Sequence, residues 1–299
     1  MFTRQQEGID LRISRSFQWF SVVNVVILTA ASLSMIAPLI HLLAVSLSLP
    51  EYANAKLVGL WPKGMQLDVY QSIFVLDDIW QAMGVSIYIT VVGTLVTLLL
   101  CSLLAYTLTR PMMPGRKIIL KLIVITFVFP VPLIPSYLLV KQLGMMNSLW
   151  SLMIPGAMSA FYVLIIRTFF QGVPGELFEA AKMDGCGESR IYARIVMPLS
   201  MPVLATITLF HTVSQWNSYF SATIYIRSRE LYPLQVLLRN LIVDNGANTG
   251  MSDFQLSTQF TPEMMKAGIV LVATLPILIV YPLLQKHFVK GAMLGSVKE

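Results

Sequence analysis

Apolar residues fall along this chain in long blocks, with short polar stretches between them. Six runs of about 20 or more residues occupy 20–47, 82–109, 118–140, 152–170, 200–226 and 267–289. A helix rising about 1.5 Å per residue needs that length to cross about 30 Å of hydrocarbon. The pattern therefore predicts an all-α, polytopic membrane protein with six transmembrane helices. Arg4, Arg12 and Arg15 precede the first run as they would in a secretory signal. The run is longer than the roughly 7 to 15 apolar residues of such a signal, and no small-x-small cleavage site follows, so it reads as a retained helix. The third run contains "FPVPLIP", with Pro130, Pro132 and Pro135. Each proline removes a backbone donor and disfavours helix just before it, which predicts a kink or break there.

Even spanning leaves two polar segments on one side, 48–81 and 227–266, and one on the other, 171–199. The first two carry turn signals, "WPKG" at 61–64 and "DNGANTG" at 244–250. The apolar stretch "LYPLQVLLRNLIV" just before the latter predicts a short helix carrying a mobile loop. Composition agrees with the block pattern: 56% of residues are hydrophobic and 12% charged, against about 25% charged in an ordinary soluble domain. Of the 21 Lys and Arg residues, two thirds lie on the side of the N-terminus, which predicts cytoplasmic termini because positive flanks resist translocation. The net charge of +6 is thus a topology signal and no argument for nucleic acid. Cys101 and Cys186 stand far apart, and no disulfide is expected.

Two absences narrow the function. None of the six runs contains Asp or Glu, whereas proton-coupled carriers usually relay through buried carboxylates. No G-x-x-x-x-G-K-[ST] loop is present, so any ATP, with its Mg, has to be bound by a partner. The chain itself is expected to hold no cofactor and no metal and to have no catalytic residue.

The segment 171–199 is the chemical oddity. In "ELFEAAKMDGCGESRIYARIVMPLS", Pro174 suits a first helical turn, and Leu177, Ala180 and Ala181 form a small apolar stripe at i, i+3, i+4. Gly185 can take the left-handed conformation that ends a helix. A second short helix is predicted from Glu188 to Val196, with Pro198 breaking it. By its residues alone this helical pair could rest on lipid headgroups or press on another protein; the small alanine stripe suits the latter.

The spacing EAA-x3-G-x9-I-x-[L]-P resembles the signature loop of ATP-binding cassette (ABC) importer permeases. Every anchor matches except Met197, where leucine is usual. The longer stretch from "MMNSLWSLMIPGAMSAFYVLIIRTFFQG" to "WNSYFSATIYIRSRELYPLQ" is similar to the carbohydrate branch, and to the smaller subunit of maltose-type permease pairs. Within that branch it looks closest to permeases for polysaccharide fragments such as alginate oligosaccharides. The resemblance implies a type I ABC importer transmembrane domain over 1–299, multi-pass in a bacterial inner membrane. It implies a second permease subunit, two ATPase subunits and an extracytoplasmic sugar-binding protein as partners. It also implies that 171–199 carries the coupling helix seated on the ATPase. Glu179 would make the polar contact, Ala180 and Ala181 would allow close approach, and Asp184, Gly185, Ile195 and Pro198 would shape the turn and its exit. The outer segment 227–266 would face the docked sugar-binding protein.

Sugar hydroxyls are matched by amides and hydroxyls, and their C–H faces stack on aromatic rings. In "HTVSQWNSYF", Gln215, Trp216, Asn217 and Tyr219 have that chemistry and are the candidate substrate contacts. Membrane-interface aromatics and helix-to-helix hydrogen bonds are the plainer readings of the same residues. His211 is expected to be neutral and bonded to a neighbouring helix. Arg227, Arg229 and Arg239 at the outer face suit an anionic uronate or a docking protein, and ordinary solvated loop charge is the plainer reading. The competing class of function is an ion- or proton-coupled carrier acting alone; a membrane hydrolase using His211 and Ser214 is weaker, since nothing marks an activated nucleophile.

Overall fold

The computed structural model describes residues 15–243 and 261–296. Among them every regular element is helical. The helices are α1 (Arg15–Ser46), α2 (Pro50–Asn54), α3 (Asp68–Val75), α4 (Asp77–Thr109), α5 (Arg116–Val128), α6 (Leu133–Gln142), α7 (Trp150–Met153), α8 (Ala160–Gln171) and α9 (Gly175–Met183). They continue as α10 (Glu188–Leu199), α11 (Met201–Trp216), α12 (Phe220–Tyr225), α13 (Leu234–Val243) and α14 (Pro262–Ser296).

Among the described residues three helices are long and apolar enough to cross a membrane, α1, α4 and the Pro262–Val280 part of α14, or up to five spans if each bent helix pair is one. The third apolar run does break at its prolines, α5 and α6 meeting at 116°. The fourth run departs from a single continuous helix. Pro155 and Gly156 interrupt it after α7, leaving α8 with 12 residues. In the fifth run α11 stops at Trp216, and α12 follows after a short break. The second loop helix also differs from expectation, because it runs through Pro198 to Leu199. A π-helical turn at Tyr192–Val196 precedes that proline, and the wider turn changes which carbonyls look for a donor where Pro198 has none. The break comes at Ser200, where α10 and α11 meet at 78°.

The chain divides into two compact units, one of Met1–Val69 with Gln259–Leu271 and one of Tyr70–Thr258 with Val272–Glu299. In the first, the turn that carries "WPKG" pairs with the end of α1. Leu49 N–H donates to the Lys63 carbonyl at 3.0 Å, Gln66 N–H to Leu47 at 3.0 Å, and Lys63 N–H to the Ser48 hydroxyl at 3.0 Å.

The second unit is organised on α4. Its buried residues recur every three or four positions, at Ile79, Ala82, Ser86, Ile89, Gly93, Thr97, Cys101, Ala105 and Leu108. Small and hydroxyl side chains on that stripe let neighbouring helices approach closely, which is how helices associate without a hydrophobic drive between them. α8 and α11 pack along it. One apolar core gathers near one end of α4, where Cys101, Ala105 and Leu108 meet Ile166, Phe170, Ile191, Val196 and Ile207. A second gathers near the other end, where Ile89 meets Val140, Leu152, Met153, Tyr225 and Val236.

Candidate functional site

A half-open cavity of about 560 Å³ is lined by residues of α6, α7, α8, α11 and α12, within the range of small-molecule sites. Six serines reach it, Ser136, Ser151, Ser159, Ser214, Ser218 and Ser221, with Tyr162, His211, Gln215 and Tyr225. Among the described residues no Asp, Glu, Lys or Arg lines it. Its polar face follows from helical periodicity: His211, Ser214, Gln215 and Ser218 recur at i, i+3, i+4 and i+7 on α11 and its exit, so one stripe faces inward. Val131 and Leu133, at the break between α5 and α6, complete the wall.

Two cavity residues also tie helices together. Gln215 Nε2 donates to the Leu152 carbonyl at 3.0 Å. His211 Nε2 lies 3.1 Å from Thr97 Oγ1, and its ring meets Tyr162 edge-on at 6.0 Å. The histidine is thus hydrogen-bonded to a neighbouring helix, as its position in the sequence suggested. The other three candidate sugar contacts lie outside the lining. Trp216 is 5% exposed, the Asn217 amide donates back to Val213 O at 2.8 Å, and the Tyr219 ring lies 5.4 Å from the Arg239 guanidinium.

At one end of α4 sits the α9–α10 hairpin. α9 begins after Pro174 and ends before Gly185, whose φ of +74° is the left-handed conformation expected of it. Glu179, Ala180, Asp184, Gly185 and Pro198 are exposed, Ala181 is buried and Ile195 is half-buried. One face of α9 thus presents Glu179 and Ala180 outward while Ala181 anchors the other face in the core.

What holds this hairpin was not evident in the sequence. The Arg110 guanidinium, just past the end of α4, lies between two rings, its carbon 4.2 Å from the centre of Tyr106 and 4.0 Å from that of Phe178. Arg110 Nε is 3.4 Å from Glu188 Oε2, and Lys182 Nζ is 3.1 Å from Oε1. The Tyr106 hydroxyl donates to Glu188 Oε2 at 2.6 Å. Tyr192, also on α10, shares a 2.7 Å hydrogen bond with the Ser102 hydroxyl. The Lys182–Glu188 pair is about half exposed on both sides, and such pairs contribute about 0–1 kcal/mol. A partly desolvated guanidinium against aromatic faces contributes about 1–2 kcal/mol per ring, so stacking dominates the attachment. The Tyr106 hydroxyl, helped by Lys182 and Arg110, holds the Glu188 carboxyl below the usual carboxylate range, against the opposing effect of partial burial. A faint local signal existed: Tyr106 and Arg110 are four residues apart at a helix end.

At the opposite end of α4 a second set of bonds fixes the segment 225–234. Asn147, at φ +57°, accepts from Arg227 N–H at 3.0 Å and Ser228 N–H at 2.9 Å, and its amide donates to Ser228 Oγ at 2.8 Å. Gln81 donates to the Glu230 carbonyl at 3.0 Å, and Leu234 N–H donates to Ser86 Oγ at 2.8 Å. Arg229 forms an ion pair with Asp78. Two of the three outer arginines therefore have specific partners, Asp78 for Arg229 and Tyr219 for Arg239, and are not simply solvated. The predicted short helix is α13; "DNGANTG" lies outside the described residues.

A helical membrane subunit built on a small-residue spine, with an exposed EAA helix at one end and a polar cavity, has the type I ABC importer permease fold. The chain belongs to the binding-protein-dependent transport system inner membrane components, whose family pattern matches residues 99–293. It is 42% identical over 268 residues to the Bacillus subtilis polygalacturonan/rhamnogalacturonan transport system permease protein YtcP, covering 89% of this chain and 94% of that protein. It is 39% identical to the B. subtilis protein LplC over 93% of this chain and 95% of that one. It also resembles a chain in the crystal structure of a bacterial ABC transporter involved in the import of the acidic polysaccharide alginate. The TM-score is 0.87 at 32% identity, covering 92% of this chain and 98% of that chain. Members of this family are membrane subunits that work with a second permease, an ATPase and a binding protein.

Proposed function

We propose that this chain is one of two permease subunits of an ATP-driven importer of acidic oligosaccharides, fragments of pectin-like or alginate-like polymers. It crosses a bacterial inner membrane six times with both termini in the cytoplasm, beside a second permease, two ATPase subunits and an extracytoplasmic sugar-binding protein. The third span is the bent pair α5–α6, the fourth is α7 with α8, and the fifth is α11 with α12, α10 lying before the bend at Ser200 in the cytoplasmic hairpin. ATP and Mg belong to the ATPase subunits.

The observation that carries this reading is α9. A nine-residue helix exposes Glu179 and Ala180 while its opposite face is held in the core, which suits seating in a cleft of a partner protein. Glu179 supplies the polar contact there, and Gly185 the turn. The relatives named for polygalacturonan and alginate favour an acidic sugar. Gln215 and the serines of the cavity are the groups suited to a sugar's hydroxyls; Trp216, Asn217 and Tyr219 support that wall from behind.

The test is reconstitution of the co-expressed complex into vesicles with ATP inside and the binding protein outside. Uptake of labelled galacturonate trimers or alginate trimers should require ATP and exceed uptake of neutral maltotriose at least tenfold. Uptake without ATP that follows an imposed proton or sodium gradient would overturn the reading in favour of a carrier acting alone.

A further inference from the structure

We infer that Arg110 is a positioning residue that locks the α9–α10 hairpin to the end of α4, so that hairpin and helix move as one body during the transport cycle. This rests on α9 being the ATPase-coupling helix. Four observations support it. The guanidinium is sandwiched between Tyr106 of α4 and Phe178 of α9, so its stacking bridges the two elements directly. Glu188, the first residue of α10, is reached from α4 by the Tyr106 hydroxyl and from α9 by Lys182. Tyr192 adds a second α10-to-α4 bond through Ser102. Beneath these, Ala181 and Ile191 are buried in the same core as Ala105 and Leu108.

The geometry matters because a short surface hairpin could otherwise swing about Val173 and Ser200. Packing alone resists separation but tolerates sliding. A planar cation held on both faces resists sliding along either ring, and its charge, with Nε 3.4 Å from Glu188 Oε2, draws the start of α10 to the same point. α4 also forms much of the framework around the cavity, through Thr97 to His211 and through the close approach at Gly93 to Gln215. Displacement of α9 is then delivered to α4, and through it to the cavity wall, with little lost in the joint.

The experiment uses the assembled complex with Cys101 and Cys186 replaced by alanine and spin labels at Met112 and Met183. These positions are 92% and 84% exposed, one just beyond α4 and one at the end of α9. In the parent the label separation should stay within about 2 Å between the resting and the vanadate-trapped states, no more than a small helix shift. Arg110→Ala should broaden that distribution in the trapped state and lower galacturonate trimers imported per ATP hydrolysed at least fivefold, at equal recovery of complex. Phe178→Leu, which keeps every charge, should lower that ratio about twofold and serves where Arg110→Ala does not assemble. A separation that shifts by more than about 2 Å on trapping in the parent overturns the inference, as does a parent-like ratio in Phe178→Leu. Recovery of the ATPase on Glu179→Lys, compared with the parent chain, reports separately on the coupling role of α9, so the two claims can fail independently.

Discussion

The Gln215 amide reaches 63 residues back in sequence to the Leu152 carbonyl, and it lies directly against Gly93 of α4. A Cβ built at Gly93 would sit 3.4 Å from Met153 Cγ and 3.6 Å from Gln215 Cδ. Those are ordinary contacts, so one methyl fits and a larger side chain does not.

Gly93→Ala should therefore leave assembly and uptake within twofold of the parent, and can raise the melting temperature slightly because Ala favours helix by about 1 kcal/mol. Gly93→Leu should cost about 1–3 kcal/mol through overpacking and lower recovery of the complex at least fivefold. Size-exclusion yield and thermal melting of the two variants decide the matter; a well-assembled Leu variant would show that the helices are not in close contact here.

Trp216→Ala should remove about 3–5 kcal/mol, as expected for a large aromatic taken from a packed site. Uptake should fall in proportion to the complex recovered, leaving uptake per complex unchanged. Ser214→Leu should do the reverse, since Ser214 is exposed and lines the cavity: normal assembly with uptake reduced at least fivefold. Measuring both quantities for both variants separates the cavity wall from its support.

Gly185 has open space where a Cβ would go, so only its backbone conformation constrains it. Gly185→Ala should cost about 1 kcal/mol for a left-handed φ, and Gly185→Val more. The readout is stimulation of ATP hydrolysis by the loaded binding protein, expected to fall stepwise from Gly to Ala to Val. Equal stimulation in all three would remove the turn from the coupling path.

Glu179→Lys changes an exposed residue of α9 and should leave the melting temperature of the isolated subunit unaltered. Recovery of the ATPase on an affinity-tagged chain should fall at least tenfold. Full recovery of the ATPase would place the polar contact elsewhere.

Much of this architecture was legible because membrane helices announce themselves by length. α1, α4 and α14 follow from uninterrupted apolar runs, and the α5–α6 break follows from three prolines in six residues. Gly185 was legible because a left-handed turn needs a residue without a Cβ. The fourth run was misread as one helix because hydropathy averages over Pro155 and Gly156. The Arg110 attachment was invisible for a different reason: Tyr106 and Glu188 are 82 residues apart, and no local spacing encodes a long-range pair. The cavity lay between these cases. Reading "HTVSQWNSYF" by residue type favours its aromatics, whereas reading it by helical face selects His211, Ser214, Gln215 and Ser218.

α4 is about 50 Å long at 1.5 Å per residue for its 33 residues, and it is gripped at both extremities. One end is bonded through Asp78, Gln81 and Ser86 to the segment 229–234, and the other through Tyr106 to the α9–α10 hairpin. It therefore behaves as a beam loaded at both supports. A torque applied at either end is resisted at the other, and Gly93 and Thr97, which touch the cavity residues Gln215 and His211, lie near the middle of its length. Substitutions that soften the middle of α4 should blunt signals arriving from both directions alike, whereas damage at either grip silences only one.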